Sequence, residues 1–415
     1  MPVVKPGVEN VTNIKVVGVG GSGNAALNRM IEVKIKGVEF VAVNTDAQAL
    51  HYSGAPTKLH IGQTLTRGLG AGMDPTVGQQ AAQESREEIY EVLKGADMVF
   101  TTGGFGGGTA SGALPIVSEI AKEAGALTVA IVTKPFSFEG QQRTLISEEA
   151  LSELQERVDA SLVVPNDRLL QIIDKKTSLL DAFRVADDVL RQGVQGISDL
   201  ITHYGIVNVD FADVRAIVQN AGSALMGIGR ASGENRATEA ARAAVDSPLL
   251  DVTIHGAKGI IFNVTSGPDL KMFEVEEAAR IITEQADPNA KVIFGTVIDE
   301  TAVEPGELKI TVVATGFDKQ DMVRTPKQRY GNTASFTPTS PRVQTWRPQT
   351  MAQPAMPQPQ QPVEPTPQPQ PMQSLYQPAT SPKARQIEDE DLDVPTFIRR
   401  KMREQKEGKN DQQAG

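Results

Sequence analysis

The stretch FTTGGFGGGTASGALP, residues Phe100 to Pro115, places six glycines in the ten positions from Gly103 to Gly112. Glycine costs roughly 0.5–1 kcal/mol more than alanine to order inside a regular element. Such a density is therefore tolerated only where something must approach the backbone closely. The flanks make it a joint: an apolar strand pattern, ADMVF, leads in, and a helical pattern, ALPIVSEIAKEAG, leads out. A turn of this kind converges backbone N–H groups on an oxyanion, and a helix beginning near Ser111 adds the partial positive charge of its N-terminus. Thr109 and Ser111 add hydroxyl donors. No G-x-x-x-x-G-K-[ST] occurs, so the joint is not a P-loop.

A second glycine turn lies upstream. Gly18-Val19-Gly20-Gly21-Ser22-Gly23 follows the apolar run IKVVGVG, and Asp46 stands 23 residues beyond Gly23 at the end of the next apolar run. Alone, this pattern fits a dinucleotide fingerprint, with the acid on a ribose, and keeps a nicotinamide or flavin oxidoreductase open. A dinucleotide domain needs one phosphate turn, however, and leaves Gly103–Gly112 unexplained. Two cradles on one sheet suggest a di- or triphosphate held from two sides.

The surrounding pattern supplies that sheet. Apolar runs at Val38–Asp46, Ala96–Gly104, Ala126–Pro135 and Ala160–Asp167 alternate with helical segments, which predicts a parallel sheet covered on both faces. Ser178–Thr202 predicts one long amphipathic helix, and Ala216–Phe317 carries a second αβ set. The pattern then stops: 14 of the 26 prolines fall between Pro326 and Pro382, many beside glutamine. Such a composition cannot bury enough apolar area to offset chain ordering, so a disordered tether is expected there. DEDLDVPTFIRRKMREQKEGK restores apolar and charged side chains at the end, which suggests a docking peptide. The resulting division is 1–12 N-terminal extension, 13–177 nucleotide domain, 178–202 central helix, 203–318 C-terminal αβ domain, 319–386 linker and 387–415 terminal peptide.

Composition excludes several chemistries. A formal net charge of −10 argues against a broad nucleic-acid face, and the absence of cysteine removes disulfides, thiolate metal sites and Cys nucleophiles. The four histidines show no metal-ligating spacing. No signal-like N-terminus or membrane-length apolar run appears, so a soluble intracellular chain without direct membrane insertion is expected.

GGFGGGTASG resembles the signature of the tubulin and FtsZ family of GTPases. RGLGAGMDPTVG, VTKPFSFEGQQR, VPNDRLL, AFRVADDVLRQGVQGISDLI, GIVNVDFADVR, SPLL and the terminal DLDVPTFIRR extend the resemblance over residues 13 to 317 and the chain's end. It implies a parallel-sheet GTP-binding domain, a long central helix and a smaller C-terminal αβ domain. It implies GTP and GDP as ligands, with Mg²⁺ offsetting phosphate charge and no protein metal ligand assigned. Gly20, Gly21, Ser22, Asn24, Gly106, Gly107, Gly108 and Thr109 would meet the phosphates. Ala71 and Gly72, with Gly70, would form a loop beside the γ-phosphate that distinguishes GTP from GDP. Glu139 and Arg143, otherwise an exposed pair after a proline turn, would meet the ribose and phosphate side.

At the base end, Phe183 and Asp187 are spaced i, i+4 and share one helix face. The aromatic ring can stack on a base while the carboxylate accepts from N1–H and the 2-amino group of guanine, a donor pair adenine lacks. A core phenylalanine and a solvated acid would show the same spacing. Asn166, by itself a turn residue, becomes a guanine contact through the resemblance.

Asp210 and Asp213 resemble a helix-capping pair. In the family, Asn208, Asp210 and Asp213 enter the nucleotide site of the next subunit, which implies a head-to-tail homopolymer whose hydrolysis needs a neighbour. The alternative is a GTP-binding scaffold with little hydrolysis. Asp393, Val394, Pro395, Phe397, Ile398, Arg399 and Arg400 would bind membrane-anchoring and regulatory division proteins, in the cytoplasm at mid-cell. Three departures fall in the phosphate loops. Ala110 stands where the signature has glycine, Ala25 follows Asn24 where the family's asparagine is displaced or lost, and Met73-Asp74 brings a carboxylate toward the phosphates, which predicts a raised Mg²⁺ requirement.

Overall fold

The computed structural model describes residues 12–317, apart from 171–172, 174–176, 203–204, 208, 248–253 and 300–302. The N-terminal extension, the linker, the terminal peptide and Asn208 lie outside the described residues, except for Thr12.

The strands are β1 Ile14–Val19, β2 Glu39–Asn44, β3 Thr57–His60, β4 Met98–Gly104, β5 Leu127–Lys134, β6 Ala160–Pro165, β7 Gly222–Ser232, β8 Gly259–Ser266, β9 Lys291–Ile298 and β10 Glu307–Thr315. They form one sheet in the order β3-β2-β1-β4-β5-β6-β7-β10-β8-β9. All neighbours from β3 through β7 are parallel, β10 runs antiparallel to β7 and β8, and β8 pairs parallel with β9. The second αβ set thus continues the first sheet, through a short ladder in which Ala160, Ser161 and Leu162 face Gly222, Ser223 and Ala224.

Among the described residues twelve α-helices cover the sheet: α1 Gly20–Glu32, α2 Ala47–His51, α3 Gln63–Thr66, α4 Pro75–Glu84, α5 Arg86–Leu93, α6 Gly108–Glu123, α7 Gln141–Gln155, α8 Asn166–Leu169, α9 Leu179–Thr202, α10 Phe211–Val218, α11 Arg236–Val245 and α12 Met272–Thr283. Alternate residues of each central strand face opposite layers. Val17, Val19, Val41 and Val99 pack with Leu114, Ile116 and Ile120 of α6. Val16, Phe100 and Ile131 face the other way, toward Leu27 of α1 and Leu190 and Val194 of α9. The C-terminal set adds its own core, in which Phe262, Val264 and Ile310 pack against Ala240, Ala244 and Ile282.

Two strands escape a hydrophobicity reading. β3 is four residues at the sheet edge, none of them fully buried. β7 is interrupted by glycines because α11 presses on it: a Cβ on Gly227 or Gly229 would collide with the carbonyl oxygens of Ala244 and Ala240. α4 and α5 are parted at Ser85, whose hydroxyl accepts from the Gly62 N–H at 3.4 Å.

Candidate functional site

The carboxyl ends of β1, β4, β5 and β6 meet one cleft of about 290 Å³, where ligands bind in open parallel sheets. Its floor is made by the two glycine turns. Ser22 joins them, its Oγ accepting from the Gly104 N–H at 2.7 Å. α6 begins at Gly108, three residues earlier than Ser111, so its first turn lies inside the glycine cluster. No side chain caps that helix. Its first N–H groups, which have no intrahelical acceptor, are thus free to serve an anion.

What the glycines approach divides into two sets. A Cβ on Gly112 would collide with the Pro75 carbonyl, and one on Gly108 would lie 2.7 Å from the Asp74 nitrogen and 2.9 Å from the Ala71 methyl. These residues let α6 cross α4 and the loop before it. Gly21 and Gly107, by contrast, have nothing within 4 Å of where a Cβ would stand, and both line the cleft. They leave space for a ligand rather than for the chain. Gly106 adopts φ +99°, a left-handed conformation that favours glycine, and its N–H donates to Ser111 Oγ at 2.9 Å.

The methyl of Ala110 finds room because its neighbours have none. Gly20, at φ +74°, would place a Cβ 3.3 Å from it, as would Gly103. Ala110 therefore joins the cleft wall without displacing the turn. Thr109 also lines the cleft, and its hydroxyl lies 2.6 Å from that of Thr45 at the end of β2.

Glu139 and Arg143 form the wall beyond β5. Arg143 donates to Glu139 Oε2 at 2.9 Å, while Glu139 Oε1 accepts from the Phe136 N–H at 2.9 Å, so the guanidinium is held from the backbone upward. At the far end Phe183 is 40% exposed and meets Phe136 edge to face at 5.6 Å, which fixes its ring while leaving a face open. Asp187, one turn on, lines the same cleft. Burial pushes its carboxyl up to about 6, opposed by Arg29 and assisted by Asp188. Asn166 is buried beside it, and its Oδ1 has no hydrogen-bond partner.

Other expected residues stand elsewhere. Asn24 is buried inside α1 with both amide atoms unpaired, and Gly20 backs the turn rather than lining the cleft. Gly72, Met73 and Asp74 line a neighbouring cleft with α7. Ala71 is buried against the Gly108 position. The Asp74 carboxylate is turned onto α4 as its N-cap, accepting from Thr76 N–H at 2.8 Å and Thr76 Oγ1 at 2.7 Å. The hydroxyl and N–H of Thr76 hold it below the usual carboxylate range. It is engaged by the helix, contrary to the expectation that it faces the phosphates. Asp46 is likewise a cap, accepting from Ala49 N–H at 3.0 Å, so the ribose role of a dinucleotide fingerprint is not what its carboxylate serves. Thr133 and Pro135, at the end of β5, line the cleft without any sequence signal beyond their place at a strand terminus.

Asp210 and Asp213 are exposed and absent from the cleft wall. Asp210 caps α10 by accepting from the Asp213 N–H at 2.9 Å, which is the N-cap half of the capping pair. From Asp187 to the end of α9 at Thr202 the helix rises roughly 22 Å, and Asp210 follows beyond that end.

Residues 13–174 match the GTPase domain of the Tubulin/FtsZ family, and residues 222–318 match the C-terminal domain of the FtsZ family. An empty FtsZ dimer from M. jannaschii is 46% identical, with a TM-score of 0.71 over 74% of this chain and 88% of that one. The chain belongs to the tubulin/FtsZ family. A tryptophan-to-tyrosine mutant of the M. jannaschii FtsZ matches equally, at 46% identity and TM-score 0.71, over 74% of this chain and 91% of that one. CetZ1 from Haloferax volcanii, in its GDP-bound monomer, shares the fold at 20% identity, 75% coverage of this chain, 96% of its own and a TM-score of 0.64. As an FtsZ-family member the chain carries a cytoskeletal GTPase domain, with GTP and GDP as its ligands. Among the described residues no helix is long and apolar enough to cross a membrane.

Proposed function

We propose that the chain hydrolyses GTP to GDP and phosphate while polymerising head to tail into filaments of the bacterial division ring, each site completed by the next subunit. The observation that carries this is the separation of the two halves of the site. The cradle, Phe183 and Asp187 lie toward one end of α9, and Asp210 and Asp213 follow its other end. Carboxylates so placed serve catalysis only in a neighbour's cleft. A contact between unlike ends that does not close generates a filament.

In this reading the open positions at Gly21 and Gly107 receive the phosphates, with the uncapped first turn of α6 donating to them. Phe183 stacks on the base, and Asp187 with Asn166 reads its edge. Glu139 holds Arg143 toward the ribose and phosphate side. The neighbour's Asn208, Asp210 and Asp213 orient and polarise the attacking water. Mg²⁺ fits this site as a ligand of the phosphates. It favours few carboxylates, phosphate oxygens and retained waters, and among the described residues no group of three or more His, Asp or Glu is poised to hold a metal. Bound, it would offset the charge that builds on the phosphates. The terminal segment from Asp393 to Arg400 supplies apolar and cationic anchors for membrane-anchoring and regulatory partners, so the filament sits in the cytoplasm at mid-cell.

Sedimentation with Mg²⁺ and GTP, GDP or NAD, with phosphate release read from the same tubes, tests the reading. Pelleting with GTP alone, accompanied by phosphate, is expected. Pelleting without phosphate would make the chain a GTP-binding scaffold, and no pelleting would overturn the polymer.

A further inference from the structure

β9 closes one end of the sheet, and its outer side is covered over only part of its length. At Thr296 the N–H donates to the Val207 carbonyl at 3.2 Å, and the carbonyl accepts from the Ile206 N–H at 3.1 Å. Thr296 thus turns both backbone groups outward. Successive residues of a strand point these groups to opposite sides, so Val292 and Phe294 turn theirs outward too. The odd-numbered residues serve β8 instead, and the Lys291 N–H accordingly donates to the Lys258 carbonyl at 2.9 Å. Among the described residues no strand or bridge covers Val292 or Phe294.

The open stretch is short and bounded. It begins at Lys291, before which the chain turns back toward β8, with the Asp287 N–H donating to the Ala257 carbonyl at 3.1 Å. It ends at Gly295, where the segment from Gly205 to Val207 closes over the strand. Within it Val292 is 39% exposed and Phe294 37%, both on the face where Phe294 stacks against Phe262 at 5.6 Å. An open strand bearing apolar side chains is a template for another strand. The opposite end of the sheet is guarded, since β3 carries exposed Lys58 among its four residues, and an edge lysine discourages pairing.

We propose that Lys291–Gly295 pairs antiparallel with the same stretch of a second copy of this chain, about a two-fold axis at Ile293. The register follows from the bounds. Val292 then exchanges two hydrogen bonds with Phe294 of the partner subunit, and the axis repeats the pair. A β-branched residue opposite an aromatic one is a favourable cross-strand match. Lys291 falls opposite a glycine, so no like charges meet. Moving the axis to Phe294 would drive each strand into the other's Val207 bridge, and moving it to Val292 would shorten the ladder. A copy of this chain suits the site better than another protein because the patch is small. Two side chains and one short ladder fall short of the roughly 1,200 Å² that holds a standing complex. Contacts this weak hold when repeated, and a filament repeats the strand in every subunit. In this the inference rests on the proposed filament.

The chain contains no cysteine, so one introduced thiol reports one contact. Across the axis Ile293 and its counterpart form a non-hydrogen-bonded pair with Cα atoms about 4.5 Å apart, within reach of a disulfide. Lys291 lies four residues along the ladder from its own counterpart, roughly 13 Å away and beyond that reach. Full-length Ile293→Cys and Lys291→Cys are oxidised with GTP and Mg²⁺, and melting temperatures check that both are folded. Ile293→Cys should dimerise at least about tenfold faster, although Lys291 is the more exposed position. Adding Val292→Pro removes an outward N–H without touching the bonds to β8, and should return the rate to that of Lys291→Cys. Equal rates, or faster linking at Lys291→Cys, would mean random collision and would overturn the contact. So would fast linking that Val292→Pro leaves unchanged. In the cysteine-free chain, Val292→Pro should leave single filaments where wild type bundles, with GTP hydrolysis unchanged, and bundling equal to wild type would also overturn it. Sedimentation of the same samples under reducing conditions separates the two ideas. Protein that pellets but does not link refutes this contact alone, whereas wild type that never pellets refutes the filament.

Discussion

Asp187 and Asp188 are consecutive on α9, yet the fold moves their acidities in opposite directions. Burial pushes Asp187 up to about 6. Burial acts on Asp188 too, but Arg191 at 2.6 Å, Gln192 and Arg29 outweigh it and hold the carboxyl below its usual range. One acid is kept ionised by cations, and its neighbour is left to find donors elsewhere, in the cleft.

If guanine supplies those donors, binding favours ionised Asp187, and affinity should fall as pH drops through about 6. At one unit below, roughly a tenth of the free protein is ionised, so GTP should bind about tenfold more weakly than at neutral pH. The stability of the free protein runs the other way. Because the folded pKa is raised, this group's protonated form favours the native state between about 3.8 and 6, and its contribution is lost as pH rises through that window. Titration calorimetry across this range, with Asp187→Asn as control, checks both signs. The variant should lose the pH dependence and prefer a base bearing a carbonyl where guanine has its amino group.

Gly107→Ala and Gly112→Ala should fail for different reasons. Gly107 sits at φ −100° with nothing near its would-be Cβ, so the alanine variant should fold, at a cost of no more than about 1 kcal/mol as a poorer N-cap. It should bind GTP at least tenfold more weakly. Gly112→Ala drives a methyl into the Pro75 carbonyl and should lower the melting temperature before any effect on affinity is seen. Thermal unfolding and nucleotide titration on the same samples separate the two.

Mixing should rescue catalysis. Asp210→Asn keeps the cap on α10, since asparagine caps as well as aspartate, but removes the carboxylate offered to a neighbour. Gly107→Ala keeps that carboxylate and blocks its own cradle. At GTP concentrations too low to fill the Gly107→Ala cradle, neither should hydrolyse GTP alone, and a mixture should, at a rate rising with the product of the two concentrations. An inactive mixture of two folded proteins would count against the shared site.

Asp74→Asn should leave the Mg²⁺ titration of GTP hydrolysis unchanged within about twofold. Asparagine can accept from Thr76 as the aspartate does. A marked shift would mean that the carboxylate leaves its cap when nucleotide binds.

Arg236 joins α11 to α12 through Glu274 at 2.6 Å and Asp269 at 2.6 Å, and it is buried. Arg236→Ala leaves Glu274 without that guanidinium and should cost about 3 kcal/mol. Hydrogen bonding from Arg236 lowers both acids, so their contribution is present at neutral pH and is lost as pH falls below about 4. Wild type should therefore lose melting temperature in acid more steeply than the variant.

The residues that announced the site were those whose chemistry is local. The turn at Gly103–Gly112 declares itself by the cost of glycine, whereas the spacing of Phe183 and Asp187 fits a core phenylalanine and a solvated acid equally, so the family resemblance singled them out. What stayed hidden depends on neighbours distant in sequence. Gly108 and Gly112 look identical to Gly107 in the sequence, and only the crossing of α4 shows that they admit the chain rather than a ligand. The caps formed by Asp46 and Asp74 were masked by a more interesting meaning for a carboxylate beside a phosphate loop. Thr45 carried no signal because a buried threonine at a strand end is ordinary until its hydroxyl partner is known. β7 was missed because its glycines serve α11 and dilute the apolar run.

The ladder between β6 and β7 has three residue pairs, whereas β7 and β10 share nine. A plate is weakest where its rows are least stitched, so load entering from either end of the subunit bends it first along the line from Ala160 to Leu162. The packing of α9 behind that line resists like a leaf spring, yielding and returning rather than tearing. Flexure under such load should therefore concentrate at that one join.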